Sequence, residues 1–79
     1  MSIKKAPDYR LDCSGHLCPV PILMTEEKVA ELAKDAVLEV VFTDPGAEPD
    51  LRMWCKATGH EFLASRREKP KYYATIRKS

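Results

Sequence analysis

The chain has 79 residues, enough for one small domain and no second core. Its 13 basic and 12 acidic residues leave a formal charge of +1, which argues against a generic nucleic-acid binder. No apolar run approaches a membrane span, and Met1-Ser2-Ile3-Lys4-Lys5 has no signal-peptide core, so a cytoplasmic protein without membrane insertion is expected.

In chain order, residues 1–8 read as a flexible lead and 9–79 as a single domain. Tyr9 to Cys13 alternates apolar and charged side chains, the period of a strand with one buried face, which puts Cys13 inward with Tyr9 and Leu11. Ser14 to Leu17 is a loop in which Gly15 supplies the turn. A helix is expected from Pro19 to about Lys34, with Ile22, Val29 and Ala33 on its buried face, flanked by Leu23 and Ala30. Val37 to Thr43 is rich in β-branched residues and reads as a second strand, parallel to the first across the helical crossover. After Asp44-Pro45-Gly46 comes a second helix, about Ala47 to Thr58, whose stripe of Leu51, Trp54, Cys55 and Thr58 closes at Gly59. Glu61 to Arg67 and Lys71 to Lys78 form a hairpin about Glu68-Lys69-Pro70. Tyr72, Ala74 and Ile76 share one face of its last strand, which leaves the other side wet and both helices on a single face of the sheet.

The chemistry is expected at Cys18. Proline is tolerated in the first helical turn, so Pro19 and Pro21 read as the first and third helical positions and Cys18 as the N-cap. A thiol there meets the positive end of the helix and the free amides of Val20 or Ile22, so its pKa is expected below the ordinary ~8.5. Two readings stay open for Cys13: a second thiol that reacts with Cys18, or a small apolar group under the helix. Two are also open for His16: a hydrogen-bond partner or proton donor to the thiol, or a solvated loop side chain. Asp12 is read as orienting the loop and Asp44 as a turn or helix cap. Cys55 beside Trp54 reads as core. A rival zinc set, Cys13-x4-Cys18 with Cys55-x4-His60, has the right ligand count but wider spacing than zinc knuckles, and no metal is expected.

Charge is unevenly spread. Eight acids lie from Glu26 to Asp50 against Lys28 and Lys34, and six bases follow from Arg66 against Glu68 alone. Either a docking surface or an ordinary solvated surface fits that split.

The stretches Leu11-Asp12, Gly15, Cys18-Pro19-Val20-Pro21, Thr43-Asp44-Pro45-Gly46, Gly59-His60-Glu61 and Tyr73-Ala74-Thr75-Ile76-Arg77-Lys78 together resemble the TusA/SirA-like sulfur-carrier family. The resemblance implies an α+β fold, a β-α-β-α-β-β two-layer sandwich with a four-stranded mixed sheet, similar to the C-terminal domain of bacterial translation initiation factor three. It implies that Cys18 accepts sulfane sulfur as a persulfide and relays it, with Gly15, Leu17, Pro19, Val20 and Pro21 forming the surface around it. It also implies a sulfurtransferase or persulfide carrier without a tightly bound cofactor. Its donor is a cysteine desulfurase, a rhodanese-type protein or a thiosulfate-linked system, and its acceptor a sulfur-relay protein such as one serving tRNA 2-thiouridine synthesis. Family members more often lack a cysteine at position 13, and many carry Lys or Arg where this chain has Glu26-Glu27. A monomer without direct nucleic-acid binding is expected. The competing class is a non-catalytic RNA- or protein-binding module that uses the basic strands from Arg66 to Lys78, with Tyr72 or Tyr73 as stacking platforms.

Overall fold

A computed structural model describes residues 7–79; most of the expected flexible lead, residues 1–6, lies outside the described residues. The elements are β1 (Tyr9–Cys13), α1 (Val20–Ala30), β2 (Val37–Phe42), α2 (Ala47–Thr58), β3 (Glu61–Glu68) and β4 (Lys71–Arg77). The sheet runs β1-β2-β4-β3, with β1 parallel to β2 and the other two pairings antiparallel. This is the expected two-layer α+β fold. Helix α1 packs on β1 and β2, α2 on β3, and the helices meet each other.

One face of the sheet makes the core. Leu38, Val40 and Phe42 of β2 stand opposite Ile76, Ala74 and Tyr72 of β4, and Cys13 is in register with Phe42. Against them pack Val29 and Leu32 from the α1 side and Ala47, Leu51 and Cys55 from α2. Burying side chains such as Leu38 and Leu51 stabilises by about 1.5–3 kcal/mol each. The hairpin and the α2 stripe place these residues as their alternation and spacing require. At the end of α2, Gly59 takes the left-handed φ of 88° and donates its N–H to Cys55 O, the backbone state that favours glycine at a helix stop.

Three expectations are corrected. Helix α1 is shorter than expected at its C-terminus: Glu31 and Leu32 donate to Lys28 O and Val29 O, a tightened last turn, and the chain then passes through Asp35 at φ 71°. Lys78 Nζ donates to Leu32 O and Asp35 N–H to Lys78 O, so the last strand ties down this corner. The buried face of α1 is also rotated. Pro21, Thr25 and Val29 face inward, whereas Leu23 is exposed and Ala33 lies beyond the helix. Thr25 tolerates burial because its hydroxyl donates to Pro21 O at 2.8 Å.

The open face of the sheet is not wet along β2, where Val37, Glu39 and Val41 are only 3, 3 and 4 % exposed. Arg10 Nη2 lies 2.7 Å from Glu39 Oε1, and Arg66 Nη1 lies 3.0 Å from Glu39 Oε2. Arg10 reaches in from the adjacent β1 and Arg66 from the edge strand β3 across β4, and together they roof the centre of the sheet. The Arg66 guanidinium also stacks 4.1 Å from the Tyr73 ring centroid, and Tyr72 stacks on Phe42 at 5.5 Å. Arg66, Tyr72 and Tyr73 of the basic C-terminal strands are therefore engaged within the domain itself. Among the described residues, no helix is long and apolar enough to cross a membrane.

Candidate functional site

Because β1 and β2 are parallel, their C-terminal ends lie side by side, and the loops that follow them meet at one edge of the sheet. Two short Asx turns shape those loops. Ser14 N–H donates to Asp12 Oδ1 at 2.9 Å, and Gly46 N–H donates to Asp44 Oδ1 at 3.0 Å. Two cross-links tie the loops together: Gly15 N–H to Thr43 Oγ1 at 2.9 Å, and Cys18 N–H to Asp44 Oδ2 at 2.8 Å. Gly15 sits at φ 83°, which bends the chain toward Thr43 in a backbone region that other residues rarely adopt. The N–H bonds from Cys18 and Gly46 hold the Asp44 carboxyl below its usual range.

Cys18 is the half-buried thiol at the centre of this arrangement, beside the exposed Leu17, Pro19 and Val20. Pro21 is fully buried and faces the core, which removes it from the expected binding surface. The N-cap of α1 is Pro19, one residue later than expected, because Val20 N–H closes a turn onto Leu17 O at 2.9 Å. Ile22 N–H in turn donates to Pro19 O at 3.0 Å. The amides of Val20 and Ile22, expected to point at the sulfur, are thus used within the turn.

The sulfur has a different partner. Cys18 Sγ–H donates to Asp50 Oδ2 at 2.8 Å across a separation of 32 residues. Asp50 lies in the first turn of α2, where the positive end of the helix favours a carboxylate. The expected acidic thiol is therefore corrected: the bond to Asp50, partial burial and the negative charges of Asp50 and Asp44 push the Cys18 thiol up to about 11. The anion that a helix start stabilises here is Asp50 rather than the Cys18 thiolate.

The other expected participants separate from the sulfur. Cys13 and Cys55 are core residues, 0 and 1 % exposed, each with a thiol pushed up to about 11 by burial. His16 is exposed on the loop, its N–H donates to Cys13 O, and the Cys18 thiol is bound to Asp50 instead. His60 packs its ring against Trp54 at 5.1 Å, away from the thiol loop. Among the described residues, no three or more potential metal ligands converge. Sequence reasoning missed Asp50 because it read that residue as one charge in an acidic run. Its place in the first turn of α2 was the available signal.

Residues 9–78 match the sequence model of the sulfurtransferase TusA family. The chain belongs to that family. It is 39 % identical over 72 residues to the sulfur carrier protein TusA of Allochromatium vinosum, covering 91 % of this chain and 95 % of that protein. With the TusA of Pseudomonas entomophila it shares 41 % identity over 71 residues, covering 90 % of this chain and 89 % of the relative. Other relatives are longer: the chain spans only 36 % of a putative sulfur carrier protein of Aquifex aeolicus, to which it is 40 % identical over 72 residues. A SirA-like protein from Desulfitobacterium hafniense shares the fold, with a TM-score of 0.72 at 22 % identity, over 87 % of this chain and 95 % of that one.

Proposed function

We propose that the domain over residues 9–79 is a cytoplasmic sulfur carrier that holds sulfane sulfur as a persulfide on Cys18. Family membership supports sulfur relay as the role. The observation that carries the choice of residue is accessibility. Of the three cysteines, Cys13 and Cys55 are buried and Cys18 is only half-buried, and its backbone is fixed by Asp44 at the edge where two loops meet.

In loading, Cys18 sulfur attacks the outer sulfur of a donor persulfide, and the donor thiolate leaves. In discharge, an acceptor thiolate attacks the outer sulfur of the Cys18 persulfide, and Cys18 leaves. The donor is a desulfurase, a rhodanese-type protein or a thiosulfate-linked system, and the acceptor a relay protein. Leu17, Pro19 and Val20 form the exposed rim that such a partner meets. Cys13 remains a packing residue, and no bound cofactor takes part.

Incubation with glutathione persulfide, followed by intact mass measurement, tests this reading. One added sulfur is expected on the native chain, and none on Cys18→Ala. An adduct that survives in Cys18→Ala, or no adduct at all, overturns it. Cys13→Ala is expected to leave the adduct lifetime unchanged; faster loss of sulfide from the native chain than from this variant would make Cys13 a resolving thiol.

A further inference from the structure

Among the described residues, the side chain bonded to the Cys18 sulfur is the Asp50 carboxylate, and no cation there neutralises it. Among the described residues Asp50 has no ion-pair partner, whereas Glu48 in the same helical turn is held by Arg52 at 3.1 Å. The remaining charges near the sulfur are few. Asp44 acts from the β2–α2 loop, His16 lies two residues upstream on the thiol's own loop, and the first turn of α1 carries no acid. Neither Val20 nor Ile22 has an amide free for the sulfur. A proton leaving Cys18 therefore has one acceptor already in place, 2.8 Å away.

We propose that Asp50 is a catalytic residue that takes the Cys18 proton during loading and returns it during discharge. This rests on the persulfide reading above and deepens it. In loading, Cys18 Sγ forms a bond to the terminal sulfur of a donor persulfide anion. The donor's S–S bond breaks, its electron pair stays on the donor thiolate, and the proton of Sγ passes to Asp50 Oδ2. The products are a Cys18 persulfide anion beside a neutral Asp50 carboxylic acid. In discharge, an acceptor thiolate bonds to the terminal sulfur, and the S–S bond breaks toward Cys18. Asp50 then protonates the departing Cys18 sulfur, leaving an acceptor persulfide anion, a Cys18 thiol and the Asp50 carboxylate. Charge is conserved in each half, and no external oxidant or reductant is needed. A sulfur with a high pKa is a slow leaving group, and protonation by a group in contact removes that handicap.

The test compares native chain, Asp50→Asn and Asp50→Glu, each first checked for native circular dichroism. Single-turnover loading from glutathione persulfide and discharge into free cysteine are followed by intact mass at pH 7.5. Alkylation of Cys18 by iodoacetamide is followed from pH 7 to 11.5. In Asp50→Asn the loss of a positioned acid or base, ordinarily worth about a hundredfold, is partly offset because its more acidic Cys18 sulfur both ionises and leaves more readily. Loading and discharge by this variant should therefore each slow by about tenfold. Its alkylation midpoint should fall toward that of an ordinary cysteine. Asp50→Glu should restore part of the discharge rate.

Slower transfer from a more acidic thiol is a combination that mere loss of structure does not produce. Discharge by Asp50→Asn at the native rate or faster, or an alkylation midpoint that does not fall, overturns the proton relay while leaving Cys18 as the carrier. A native chain that takes up no sulfur overturns both.

Discussion

The most direct consequence of the Cys18–Asp50 contact is that the surface thiol of the native chain should be slow to react at neutral pH. Its pKa stands at about 11 against a reference of 9.0. At pH 8 that difference cuts the thiolate fraction from roughly 10 % to roughly 0.1 %, a factor of about a hundred. Each thiolate that does form is more nucleophilic, because reactivity rises with pKa at a Brønsted slope of about 0.4–0.5, which returns a factor of about 6–10. The net expectation is alkylation roughly tenfold slower than for an unperturbed cysteine at pH 8. The rate should keep rising nearly tenfold per pH unit to about pH 10, because a raised thiol pKa means that the protonated form persists until pH passes it.

The assay is iodoacetamide modification from pH 7 to 11.5, with the adduct assigned to Cys18 by peptide mass. Cys13 and Cys55 are buried and should react only when the chain opens, so each sample carries its own control for unfolding. A Cys18 profile that levels off by pH 9 would mean that the carboxylate does not hold the thiol proton in solution, and the electrostatic reading of the site would be wrong.

Two predictions concern the fold. Glu39 is a buried acid clasped by Arg10 and Arg66, whose own side chains are 64 and 49 % exposed. Glu39→Val therefore leaves no buried charge unpaired and should stay within about 1 kcal/mol of native stability by urea unfolding. The double variant Arg10→Ala/Arg66→Ala, which strands Glu39 without a partner, should melt well below Glu39→Val; the reverse order would contradict this assignment. Cys13 and Cys55 titrate near 11 when folded, against a reference of 9.0, so the folded state keeps protons that the unfolded chain gives up. Stability from this source is fully present below pH 9 and is lost between pH 9 and 11, by about 2–3 kcal/mol per thiol. Urea unfolding at pH 8 and 10.5 should show that loss, and Cys13→Ala/Cys55→Ala should reduce it.

Much of the fold was legible because its signals are local. Alternation over residues 11–13 and in Lys71–Arg77, the β-branched run of β2 and the spacing of Leu51 and Cys55 each respond to burial against one surface, whereas Tyr9, expected inward, is exposed. The phase of α1 was not legible. Its opening Val20-Pro21-Ile22-Leu23-Met24 is apolar all round, so periodicity does not say which side is inward, and contacts with the sheet select Pro21 and Thr25 over Leu23. The start of α1 was misplaced by one residue for a similar reason: the bond from Val20 N–H to Leu17 O is a turn that composition does not announce. Cys18 was singled out by its prolines and its family pattern, but its carboxylate partner was not. Local sequence reports the helix that follows the thiol, whereas the deciding charge arrives from another helix 32 residues away.

That charge changes what the site should be good at. A permanently ionised, exposed thiol reacts with any available oxidant, and each step past the sulfenic acid is hard to reverse. A thiol bonded to a carboxylate is shielded from this chemistry, but alone it would be a poor carrier, because it is slow to attack and, once loaded, slow to leave. The two handicaps share one remedy. If the carboxylate that suppresses ionisation also stores the proton while sulfur is aboard, loading and discharge use the same atoms in opposite directions, and neither sulfur acceptance nor sulfur release is left stranded. Asp50 satisfies the geometric requirement by contact with Sγ, and among the described residues no cation competes for its carboxylate. On this reasoning the helix that matters most to the sulfur is α2, which does not carry it.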